Sequence, residues 1–194
     1  LFFTIINTSI ANASCNFISG NYIKELSDPS MINEIKIDIN NNRKYLINYL
    51  KILTDKSFNI EKKFKKSFKA NIVVKYPFGE CLFRGKIRQH GDNKDHIGSK
   101  TNDYTQFHRS LVVRLEEGNI LNAVRFKLLI PITRNDVNEI LGSLLLKEVG
   151  FIVPETFHVK TRINNKVNTM IFQEEVRKEL LERNYRREGP IFEG

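Results

Sequence analysis

Cysteine is scarce and no long apolar run occurs. Cys15 and Cys81 are the only cysteines in 194 residues. Two cysteines rule out a disulfide-dense scaffold, and no Cys/His spacing resembles a zinc site. No segment is long and apolar enough for a transmembrane helix, which needs about 20 such residues. Internal repeats and low-complexity linkers are absent. So are RNA-binding signatures and aromatic-interleaved basic repeats, so nucleic acid is not an expected partner. What is present is ordinary for a folded chain: 41% hydrophobic and 27% charged residues exclude wholesale disorder. The charge is unbalanced, with 31 basic against 22 acidic residues and a net charge of +9. Such a surface favours polyanions, although a solvated basic surface is the alternative.

Leu1 to Ile10 is mostly apolar and uncharged, and Ala11-Asn12-Ala13 follows as an A-x-A site. Residues 1–13 are therefore expected to be the remnant of a signal peptide, its upstream part missing, in a secreted or cell-envelope protein (periplasm or cell surface). A short buried strand or helix is the alternative. Cys15 would then be lipidated, disulfide-bonded to Cys81, or neither.

Periodicity predicts the elements. Ile35, Ile37 and Ile39 alternate as in a strand. Tyr45, Leu46, Tyr49, Leu50 and Leu53 repeat as in a helix. Residues 70–76 and 81–89 read as a hairpin around Pro77-Phe78-Gly79-Glu80. Residues 90–106 read as a polar loop, and 110–115 and 123–130 as strands. Val137, Ile140, Leu141, Leu144, Leu145 and Val149 form the longest helical stripe and are expected to face the core. Asp136 with Glu139 suits its start and Gly150 its stop. Residues 156–162 and 167–172 form a second hairpin about Asn164-Asn165, and 174–183 a charged helix. The expected fold class is α+β: an antiparallel sheet with helices packed on one face.

Three constellations stand out. Lys86, Arg88 and His90 alternate onto one strand face and suit phosphate contacts. His90, Asp92, Asp95 and His96 are a weaker, metal-type set. Arg125 and Lys127 share a strand face ahead of the 137–149 helix, which carries Glu139. Glu174 and Glu175 are adjacent and so point apart, which argues against a catalytic pair.

Together these stretches resemble the CotH kinase family of secreted atypical kinases. The resemblance covers roughly residues 80–194 and is spread over several motifs. Lys86-Ile87-Arg88-Gln89-His90-Gly91-Asp92 matches a basic strand entering a polar loop. Residues 109–115 match a basic strand. Asn138-Glu139 and Val149-Gly150 match a helix start and end, without the arginine usual there. Pro154, Asn164-Asn165, Phe172-Gln173-Glu174, Leu180-Leu181-Glu182 and Gly189-Pro190-Ile191 follow in order. The resemblance implies a fold like an atypical kinase small lobe, with ATP and magnesium as cofactors. It implies transfer of phosphate from ATP to protein Ser/Thr by the full-length protein, with a protein or an envelope polymer as the substrate partner. A strand lysine paired with a helix glutamate orients ATP phosphates in kinases, and Lys127 and Glu139 would take those parts. Arg88, Arg114 and Glu174 are the further nucleotide-binding candidates. Catalytic residues are expected beyond Gly194, so this stretch alone is expected to be inactive. The implied organisation is residues 1–13 as signal remnant, 14–69 as an N-terminal strand–helix region, and 70–194 as the nucleotide lobe with the start of the hinge. The alternative function is a non-catalytic envelope module that binds anionic glycans or coat proteins.

Overall fold

The structure is a computed structural model describing residues 6–10, 13–18, 20–97, 109–187 and 189–190, with backbone alone for Ile6–Ile10 and Ala13. Ala11, Asn12 and loop residues 98–106 lie outside the described residues, as do Leu1–Ile5 and Ile191.

Among the described residues nine strands form one sheet. They are β1 (Ile6–Ile10), β2 (Ala13–Phe17), β3 (Glu34–Ile39), β4 (Ser67–Tyr76), β5 (Gly79–Gln89), β6 (Leu111–Leu115), β7 (Arg125–Leu129), β8 (Thr156–Ile163) and β9 (Lys166–Glu174). Their order is β1-β2-β5-β4-β3-β8-β9-β7-β6, and β6 also pairs with β5. That last pairing closes β5, β4, β3, β8, β9, β7 and β6 into a seven-stranded barrel. The β3–β8 pair is parallel, in register at Ile35 with Thr161. The β1–β2 hairpin hangs on β5 at Gly79–Leu82, beside the segment Gly85–Gln89 that β6 uses.

Alternation accounts for the wall. Ile35, Ile37, Ile72, Val74, Phe83, Ile87, Val113, Phe126, Leu128, Met170 and Phe172 fill the interior and are buried. Small barrels are filled by their inward side chains in this way. Gly85 marks the corner where β5 passes from β2 to β6. A Cβ there would lie 2.7 Å from the Arg114 carbonyl oxygen and 2.8 Å from Ile72 Cδ1, so the close approach demands glycine. Asn164 (φ 44°) and Asn165 (φ 72°) make the left-handed two-residue turn of the β8–β9 hairpin.

The α+β expectation is overturned. The sheet does not carry helices on one face; it closes on itself, and among the described residues three short α-helices accompany it. These are α1 (Asn42–Thr54), α2 (Asn138–Glu148) and α3 (Lys178–Arg183). The likeness to a kinase small lobe falls with it. The closing pairs, β5 with β6 and β3 with β8, join distant segments that local periodicity cannot register. The expected core face of α2 is also corrected: α2 has no buried residue. Leu144 is 53% exposed and Leu145 69% exposed, while Glu139, Ile140, Gly142 and Ser143 are half-buried. The wall beneath them is polar. Ser143 Oγ meets Thr156 Oγ1 at 3.2 Å, and Gln173 Nε2 donates to Glu139 Oε2 at 3.0 Å. The polar stripe therefore docks and the leucines face outward. Asp136 does not cap the helix; Val137 occupies that position without a side-chain hydrogen bond.

Helix α1 buries Tyr45, Asn48, Tyr49 and Ile52, whereas Leu46, Leu50 and Leu53 are exposed. The Arg109 guanidinium lies over Tyr49 at 3.4 Å and Tyr45 at 4.4 Å from the ring centroids. Among the described residues no helix is long and apolar enough to cross a membrane.

Candidate oxyanion-binding face

Antiparallel pairing sets side chains of partner residues on the same face, with neighbouring strands about 4.8 Å apart. Two outward rows result on β5, β6 and β7. In the first, Lys86 pairs with Arg114 and Arg114 with Arg125. In the second, Arg88 pairs with Val112, Val112 with Lys127, and Lys127 with Gln173. Successive outward residues on one strand are about 6.8 Å apart. Five cations therefore share a small area of wall. Like charges set directly opposite each other are unfavourable, and Arg114 faces Lys86 on one side and Arg125 on the other.

Some of this charge is answered. Lys86 Nζ pairs with Glu116 at 3.0 Å, and Arg84 Nε with Glu117 at 2.8 Å. Arg125 pairs with Glu175, which Arg177 also approaches at 3.6 Å. Burial pulls the Arg125 pKa down; Glu175 opposes this, while Arg177, Arg88 and Arg114 reinforce it. Among the described residues Arg88, Arg114 and Lys127 have no ion-pair partner. A groove of about 580 Å³ opens beside the first row, lined by Arg114, Arg125, Arg177, Lys178 and Glu179 among others.

The sequence candidates separate as follows. Arg88 and Lys127 flank Val112 in one row, and Arg114 lies in the next. Glu139 stands above Gln173, the register partner of Lys127. It pairs with Arg134 at 3.3 Å and accepts from Gln173, and no ion pair joins it to Lys127. Glu174 is not on this face. It shares the interior row with Phe126 and is 2% exposed. Its Oε2 meets Arg183 Nη2 at 2.8 Å and accepts from the Glu155 amide at 3.1 Å. Burial raises its pKa despite those partners. It clamps α3 against the barrel end.

The loop after β5 adds His90. Lys86, Arg88 and His90 lie along one side of β5, as their alternation predicts. The His90 ring meets the His96 ring edge-on at 5.1 Å. Gly91 has φ 87° and lies against His96, where a side chain would collide with the ring. The metal-type reading of this loop does not assemble. Asp92 pairs with Lys65, and among the described residues no group of three or more His, Cys, Asp or Glu side chains could hold a metal ion.

Arg134, Arg177 and Gln173 were not singled out by the sequence as part of this face. Nothing local marks Arg134 and Arg177; they arrive by the turn after β7 and the segment after β9.

Compared with known proteins, the chain matches no protein family and no curated protein.

Proposed function

We propose that this chain is a binding module for an oxyanion-rich polymer, such as an anionic envelope glycan, held along the outer face of β5, β6 and β7. The observation that carries this is the pair of cationic rows with Arg88, Arg114 and Lys127 unpaired by any described acid. A multiply charged chain would answer several of these cations at once. The reading includes an exported or envelope location. Cys15 and Cys81 are register partners joined by a disulfide, and disulfides persist in oxidising compartments.

The test is binding to heparin, used as a sulfated linear polyanion, over a range of salt concentrations. Retention should fall steeply with salt, because exposed charges are screened. Arg114→Ala combined with Arg177→Ala should weaken binding by about tenfold, the equivalent of ~1.4 kcal/mol. Lys160→Ala, on β8 three strands round the barrel from β6, should change little. Equal losses in the two proteins, or no retention of the wild type, would remove the proposal.

A second reading keeps the CotH resemblance: ATP with magnesium as the ligand, and phosphoryl transfer to protein Ser/Thr by a longer polypeptide. What favours it is that Arg88 and Lys127, both phosphate candidates from that resemblance, flank one buried residue on one face. Displacement of heparin by ATP–magnesium, but not by equally charged inorganic polyphosphate, would favour this reading over the polymer.

A further inference from the structure

We propose that Arg88, His90, Lys127 and Arg134 form a subsite for one tetrahedral oxyanion, a phosphate or sulfate ester group. The inference rests on the oxyanion-binding reading and names the point on that face where a single group is gripped.

The four residues come from three elements. Arg88 and Lys127 stand on either side of Val112, which faces outward yet is only 3% exposed. Val112 is thus an apolar floor with a cation on each side. His90 follows Arg88 on the same side of β5. Arg134 comes from the 3-10 turn Pro131–Arg134 after β7. One of its terminal nitrogens meets Glu139, while its Nε is buried without a hydrogen-bond partner.

The loop that carries His90 is fixed from below. The Gln89 side-chain amide donates to the carbonyls of His90 at 2.9 Å, His96 at 3.1 Å and Ser110 at 3.1 Å. Ser110 Oγ accepts from the Ile130 amide and contacts His96 Nδ1, each at 3.1 Å. The His90 ring is therefore positioned before any ligand arrives, and preorganisation of this kind lowers the cost of binding.

The charges around the ring favour an anion. Cations face it from its own strand (Arg88), from β7 (Lys127) and from the turn after β7 (Arg134), and His96 packs against it. The nearby acids are already occupied. Asp92 pairs with Lys65, Asp95 lies 3.9 Å from His96 Nε2, and Glu139 serves Arg134 and Gln173. Burial, then His96, Lys127, Arg134 and Arg88, push the His90 pKa down to about 3. With its pKa held that low, the imidazole is neutral near pH 7. A bound dianion reverses the local field, so His90 takes a proton from solvent and becomes a fourth cationic donor. A tetrahedral ester group suits this set, because it offers oxygens in several directions to donors arriving from three elements.

Sulfate is the probe, because it stays dianionic where phosphate titrates. Sulfate affinity of the full chain should be about tenfold tighter at pH 5.5 than at pH 7.5, if the bound state restores His90 to its ordinary value near 6.5. Site-resolved NMR of the imidazole should show the His90 pKa climbing into that range under saturating sulfate. His90→Gln should abolish the pH dependence, and Arg88→Gln, an independent variant on a strand face, should weaken binding at both pH values. Equal affinity at the two pH values, or His90 resonances that sulfate does not move, would overturn the subsite. Heparin retention by the wild type, with sulfate affinity equal at the two pH values, would overturn the subsite and leave the polymer reading standing. Sulfate behaving as expected without heparin retention would uphold the subsite and overturn the polymer reading.

Discussion

Two residues separate what is buried from what is merely apolar. Phe172 stacks on Phe126 at 4.7 Å and Phe157 at 4.8 Å between ring centroids, and it is fully buried. Phe172→Ala should cost about 3–5 kcal/mol, the range for emptying an aromatic site in a packed core. Leu144→Asp should shift stability by about 0.5 kcal/mol or less, because Leu144 faces outward from α2. Chemical denaturation of both variants checks the contrast, and a larger loss for Leu144→Asp would show that α2 buries its leucines. His90 supplies a second prediction at this scale. Its folded-state pKa is about 3, below the ordinary 6.5 of an unfolded chain. The unfolded state therefore takes up a proton first as pH falls, and stability present above pH 6.5 is lost progressively below it. His96 is lowered chiefly by burial and acts in the same direction. Melting temperature measured from pH 7.5 to 5 in sulfate-free buffer should fall, and His90→Gln should flatten the slope. A profile identical to the wild type would contradict a neutral, half-buried His90.

Single elements were legible where the pattern was strictly local. The β4–β5 and β8–β9 hairpins follow from alternation and from their two-residue turns. The outward placement of Arg125 and Lys127 follows from Phe126 and Leu128 pointing inward. The face used by α2 was not legible. An amphipathic stripe states that two faces differ, and it does not state which one the neighbouring surface will accept. Here Thr156 and Gln173 make the barrel wall polar, so Ser143 and Glu139 dock instead of Leu141 and Leu144. The candidate site divides the same way. Arg88, Arg114 and Lys127 were visible because each sits on its own alternating strand. Their adjacency was not, since it depends on β6 lying between β5 and β7. The placement of Glu174 was not legible for a related reason. Its register with Phe126 turns it into the barrel, where Arg183 meets it. A double-mutant cycle over Glu174→Gln and Arg183→Gln should therefore show coupling in stability and none in heparin or sulfate binding. Coupling in binding would return Glu174 to the site.

At the scale of the molecule, the barrel closes without the β1–β2 hairpin. The ring pairs β5 with β4 along its length and with β6 at Gly85–Gln89, whereas β2 uses only Gly79–Leu82. The Cys15–Cys81 disulfide therefore ties an appendage to the ring rather than closing the ring itself. The tie is not superficial, because Cys15 and Phe17 are buried, and Phe17 packs edge-on against Tyr76 and Phe78 at the end of the barrel. The bridge spans 66 residues of chain. Cross-links over loops of this size typically contribute about 2–4 kcal/mol through the unfolded state. Two consequences follow for Cys15→Ser with Cys81→Ser, or for the reduced wild type. Global stability should drop by about that amount. Amide exchange should also become non-uniform: protection at β2 should be lost first, while β3, β4 and β9, held by pairs that do not involve the hairpin, keep theirs. Local opening of a weakly tied unit ahead of the core is expected in native-state exchange. Loss of protection in all strands together would mean that the hairpin is integral to closure. Retained protection at β2 would mean that Phe17 and the β2–β5 hydrogen bonds hold the hairpin without the disulfide.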